Sequence, residues 1–86
     1  MRGRDLVGRN IRRIRVAMAI SQERLAFDAA VDRSYLGGVE RGEENPTVDV
    51  LDRIATTLGV PLQELFAEVG LVAATATLPR GRKAKR

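Results

Sequence analysis

SQERLAFDAAVDRSYLGGVERG, residues 21–42, is the stretch whose reading decides the fold. Ser21 is a helix N-cap, because its hydroxyl can accept from a backbone N–H left free in the first turn. Glu23 follows in that turn, where a carboxylate complements the helix dipole. Leu25, Ala26 and Ala29 give this short helix one apolar face. Asp32 caps a second short helix, with Leu36 and Val39 as its buried pair. Gly42 stands where a left-handed C-cap is expected. The stretch therefore reads as two helices joined by a turn of about three residues, a helix-turn-helix.

Residues 5–19 precede it, with Val7, Ile11, Ile14 and Met18 on one helical stripe and arginines elsewhere. Glu43-Glu44-Asn45-Pro46 is a loop. Thr47 caps a fourth helix with the stripe Val48, Leu51, Ile54, Ala55 and Leu58, and Gly59 ends it. Pro61 opens a fifth helix with Leu62, Leu65 and Phe66 inward. The expected fold is all-α: a compact five-helix domain over residues 1–69, with no strand before residue 70. Residues 70–86 form a separate segment. Its apolar part, LVAATATL at 71–78, could extend helix five, form a dimer strand or serve as a linker. Its end, RGRKAKR, is a basic tail expected to be disordered.

Composition narrows the function. Eighty-six residues suffice for one small domain and leave little room for an enclosed substrate pocket. With no Cys and no His, a zinc finger, an iron–sulfur site and thiol or imidazole catalysis are excluded. No Gly-rich phosphate loop follows a strand, and no carboxylates cluster, so neither an enzyme, a metal nor a cofactor is expected. No run approaches the roughly 18 apolar residues of a membrane span, and no signal peptide is read. The net charge of +4 is uneven. Residues 1–69 carry ten Arg against eleven acids, while Arg80, Arg82, Lys83, Lys85 and Arg86 make the tail basic. Within the domain, Arg2, Arg4, Arg9, Arg12, Arg13 and Arg15 crowd the first helix. Any affinity for a polyanion rests on where the charge sits.

The order Ser-Gln-Glu, turn, Asp-Arg-Ser-Tyr-Leu, Glu-Arg-Gly, Asn-Pro-Thr, Leu-Gly-Val-Pro-Leu and Glu-Leu-Phe resembles the lambda-repressor-like, Cro/CI-type (XRE) family of DNA-binding domains over roughly residues 5–68. Asp32-Arg33-Ser34-Tyr35 is a short match to the recognition-helix start of small controller proteins of restriction–modification systems. The resemblance implies a transcriptional regulator, a cytoplasmic protein of bacterial or phage type. It would act as a homodimer on palindromic double-stranded DNA, with helix three in the major groove. Arg33 would read guanine O6 and N7. Ser34 would donate to a base or phosphate. Tyr35 would meet a thymine methyl or pack at the helix edge. Gln22 would hold a phosphate at the start of helix two, and Asn45 and Thr47 would touch backbone phosphate. Gly38 falls at a position that often carries a base-contacting side chain. Arg15 would pair with Glu40, clamping helix one to helix three. A dimer surface is expected near helix five and residues 67–78, where a protein partner could bind instead. The alternative is an antitoxin-like interaction module that also represses its own promoter.

Three features depart from the family pattern. Ala30 stands where the family turn commonly carries glycine, so either a left-handed backbone there is strained or the turn takes a slightly different form. Gly37 and Gly38 weaken the recognition helix by about 1 kcal/mol each. They either allow close approach to the groove or leave reading to Arg33–Tyr35. Glu43 and Glu44 either point away from phosphate or weaken nonspecific binding.

Overall fold

The computed structural model describes residues 2–68. The expectations placed on residues 69–86, the apolar segment and the basic tail, lie outside the described residues. Helix α1 spans Gly3–Ala17, α2 Gln22–Asp28, α3 Arg33–Glu40 and α4 Val48–Leu58; a 3₁₀ turn follows at Leu62–Phe66. No strand occurs among the described residues.

Three helix starts are capped by side chains. Ser21 Oγ accepts from Arg24 N–H, Asp32 Oδ2 from Tyr35 N–H and Thr47 Oγ1 from Val50 N–H, at 2.9, 3.0 and 3.1 Å. All four α-helices end in the same way. The residue after the C-cap region turns left-handed, and two backbone N–H groups reach back to otherwise unpaired carbonyls. After α1, Ile20 N–H donates to Arg15 O; after α2, Val31 to Ala26; after α3, Glu43 to Gly38; after α4, Val60 to Ala55. Gly42 and Gly59 supply the left-handed residue for α3 and α4 at φ +77° and +73°. For α1 and α2 that residue is an alanine, Ala19 or Ala30, at φ +57° and +58°. The turn between α2 and α3 thus keeps the left-handed geometry and carries the strain that Ala30 implies. Ile20, Val31 and Val60, the residues just past three of these turns, pack against the core.

Among the described residues the expected five helices are four. Only five residues lie between Pro61, which has no N–H to donate, and Ala67, whose backbone is extended. That is too short for an α-helical nucleus to pay its entropy, and the segment settles as 3₁₀. Asn10, almost fully buried on α1, holds it down: Nδ2 donates to the carbonyls of Leu65 at 2.9 Å and Ala67 at 2.7 Å.

Ile11, Leu25, Leu36, Ile54, Leu65 and Val39 are fully buried and join the helices in one core. Three side chains expected inside are exposed instead: Met18, Val48 and Phe66. Each sits at the end of its element: Met18 caps α1, Val48 begins α4, and Phe66 closes the 3₁₀ turn. At such ends the neighbouring elements do not reach far enough to cover the apolar side chain. Gly8 lets α1 and α3 touch through their backbones, because a Cβ there would collide with the carbonyl oxygens of Val39 and Glu40.

Candidate nucleic-acid interface

The side of α3 facing away from the core is formed by Arg33, Ser34, Gly37, Gly38 and Arg41, while Leu36, Val39 and Glu40 face inward and are buried. Arg33 and Ser34 are exposed at the N-terminal end of this face. Arg33 makes no hydrogen bond or ion pair among the described residues, so its five donors face solvent. Tyr35 is half-buried against the core, with its backbone N–H on the Asp32 cap.

Beneath this face lies a buried polar junction. Arg15 meets Glu40 in a two-pronged pair, Nε to Oε2 at 2.8 Å and Nη2 to Oε1 at 3.0 Å. The Arg15 and Glu40 side chains are only 12% and 3% exposed. Arg15 Nη1 also donates to Ile20 O at 2.9 Å, in the turn after α1. The hydrogen bond to Glu40 raises the Arg15 pKa above its ordinary value, so the guanidinium stays charged. Gln22 joins the junction: its Nε2 donates to Glu40 Oε1 at 3.2 Å. One carboxylate on α3 is therefore tied to α1 and to the first residue of α2.

Asn45 and Thr47 are exposed in the loop and cap preceding α4, with the Thr47 hydroxyl engaged by Val50 N–H. The two loop glutamates separate. Glu43 Oε1 accepts from Arg41 Nη2 at 3.1 Å, and this bond pulls its carboxyl below the ordinary value. Glu44 turns back over Gly38.

The sequence reading passed over three residues. Asn10 and Gly8 stand inside a helix, where a polar amide on the apolar side and a glycine are each unfavourable by propensity. That was the available signal for a buried anchor and a close helix crossing. Arg53 gave no signal. From α4 it donates to the carbonyls of Ala29 at 3.1 Å and Ala30 at 3.4 Å, fastening the turn that leads into α3. No group of three metal-binding side chains occurs among the described residues, and no helix among them is long and apolar enough to cross a membrane.

A helix-turn-helix family model, HTH_3, matches residues 11–65. Control protein C.BamHI of Bacillus amyloliquefaciens is 37% identical over 70 residues, covering 78% of this chain and 86% of that protein. The HTH-type transcriptional regulator SlrR of Bacillus subtilis is 42% identical over 62 residues, covering 71% of this chain but only 41% of its own length. Among solved structures, the restriction-modification controller protein C.AhdI from Aeromonas hydrophila superposes with a TM-score of 0.71 at 43% identity. That match covers 73% of this chain and 96% of that one.

Proposed function

This chain belongs to the HTH_3 family of helix-turn-helix domains, the XRE type, and from that premise we propose that it is a sequence-specific regulator of transcription that places α3 in the DNA major groove. The observation that carries the reading is the outward side of α3. Its N-terminal end presents an exposed guanidinium at Arg33, without a partner among the described residues, and a hydroxyl at Ser34, while its inner side is locked into the core. Arg33 bonds guanine, with Ser34 and the Tyr35 ring beside it. Gln22, Asn45 and Thr47 fix the register on phosphate. With a nearly neutral domain, grip on the backbone depends on the arginines of α1 and on the basic tail.

The acting species is a homodimer on a palindromic operator in the cytoplasm. A shallow groove, mostly apolar, runs between the start of α1, Pro46, Val48, Leu51 and Phe66. Exposed Val48 and Phe66 flank it, and a second copy covers this face. Selection of bound duplexes from a random pool tests the function. The expected product is two inverted half-sites about 34 Å apart, each with a guanine opposite Arg33. A pool that shows no enrichment refutes it. Sedimentation of Phe66→Glu tests the dimer face: an unchanged dimer removes this surface from the assembly.

A further inference from the structure

The outward side of α3 should be bare beyond Ser34, because Gly37 and Gly38 carry no side chains. Both glycines are nevertheless buried. Above Gly37, Arg41 Nη1 lies 3.1 Å and Gln22 Oε1 3.4 Å from the point a Cβ would occupy. Above Gly38, the same measurement gives Glu44 Cγ at 2.7 Å and Oε2 at 3.2 Å. A Cβ at Gly38 and the observed Glu44 side chain therefore cannot coexist. The glycine is a seat, and a loop carboxylate occupies the place where a recognition helix would otherwise project its own side chain. Ser34, Gly37, Gly38 and Arg41 follow the i, i+3, i+4, i+7 spacing of one helix face. Glu44 thus lies on the same face as Ser34, one turn further along α3.

We propose that Glu44, seated on Gly38, is a specificity-determining residue that accepts a hydrogen bond from an exocyclic amine of a base in the major groove. The proposal rests on the DNA-binding reading above. An ionised carboxylate can only accept. In the major groove, the donors are cytosine N4 and adenine N6; guanine O6 and N7 and thymine O4 present acceptors that repel it. A carboxylate within a Debye length of phosphate, about 8 Å, is unfavourable unless a base donor meets it. A matching base relieves that repulsion and a mismatched one does not, so the unfavourable charge becomes selectivity. Glu43 is already bonded to Arg41, which leaves Glu44 as the loop carboxylate turned onto the reading face.

The test compares pools selected by the wild type, Glu44→Ala, Glu44→Gln and Gly38→Ala, with thermal melts confirming that each variant folds. The wild-type pool should fix one further base pair per half-site beyond the Arg33 guanine, and whether it is a G·C or an A·T pair tells which amine, cytosine N4 or adenine N6, is read. Glu44→Ala should flatten that position by on the order of fivefold or more and leave the others intact. Gly38→Ala, which evicts Glu44 without removing it, should flatten the same position. Glu44→Gln should favour adenine there, because an amide both accepts from N6 and donates to N7. Identical base preferences for wild type and Glu44→Ala overturn the proposal and leave DNA binding standing. A loss spread evenly over all positions also overturns it. A wild-type pool without enrichment overturns both readings together.

Discussion

Replacing Arg15 by alanine should destabilise the domain by about 2–4 kcal/mol. The magnitude follows from what is left behind. Glu40 keeps one donor, Gln22 Nε2 at 3.2 Å, and loses the two guanidinium bonds at 2.8 and 3.0 Å. Its side chain is 3% exposed, so water cannot readily replace them. Breaking a buried pair by removing one member costs roughly 3–5 kcal/mol, because the other charge stays uncompensated. The remaining Gln22 bond and the 12% exposure of Arg15 lower that figure. Loss of the Ile20 carbonyl contact adds to it. For a small domain, each 1 kcal/mol moves the melting temperature by about 4–8 °C, so the change is far outside error. The assay is urea unfolding followed by circular dichroism, with Arg15→Ala, Glu40→Ala and the double variant forming a cycle. Removing both charges should cost clearly less than the two single changes summed, because neither is then left buried alone. A single-variant loss under about 1 kcal/mol would refute the clamp, and so would additivity in the cycle, since contacting residues in one network should couple.

Four further outcomes are expected. Gly8→Ala should destabilise by about 1–3 kcal/mol or more by overpacking, although alanine is the better helix former, because its Cβ meets backbone carbonyls that cannot move aside; denaturant melts check it. Gly59→Ala, equally left-handed but in open space, should lose only the conformational term of about 1–2 kcal/mol in the same melts. Ala30→Gly should raise stability by up to about 1 kcal/mol, the relief at φ +58° being partly offset by greater freedom in the unfolded chain. Glu43 has its pKa lowered by the hydrogen bond from Arg41, so its contribution is complete above its unfolded pKa and fades as pH falls through the folded one. Carboxyl titration by NMR should show that midpoint rising toward the ordinary value in Arg41→Ala and staying put in Arg24→Ala.

The local signals were legible because they are short-range. Ser21, Asp32 and Thr47 each accept from an N–H three residues on, a contact that needs no tertiary partner. Gly42 and Gly59 are likewise decided by their own φ angles. Ala19 and Ala30 take the same left-handed conformation without that advertisement, because packing of Ile20 and Val31 against the core outweighs an alanine's preference. Burial failed at element ends, where a periodic stripe says nothing about how far the neighbouring helix reaches, hence Met18, Val48 and Phe66. The candidate site divides in the same manner. Arg33 and Ser34 follow from position on a capped helix. The covers over Gly37 and Gly38 depend on how a loop and α2 fold back, and periodicity holds no record of that.

The junction at Glu40 explains why a charge is buried where hydrocarbon would do. Well-packed apolar side chains of similar volume are often as stabilising as a buried ion pair, or more so. Stability alone therefore does not account for Arg15 and Glu40. What an apolar pair lacks is direction. Glu40 accepts from Arg15 of α1 and from Gln22, the first residue of α2, so its two oxygens set both helices relative to α3. On the reading proposed here, Gln22 holds phosphate and α3 holds bases, and the angle between them decides whether both can be engaged together. A hydrocarbon contact would tolerate sliding between these helices; a two-pronged guanidinium bond does not. On that reading the buried charge serves geometry, and the same junction brings the Gln22 amide over Gly37, beside the seat that Gly38 gives to Glu44.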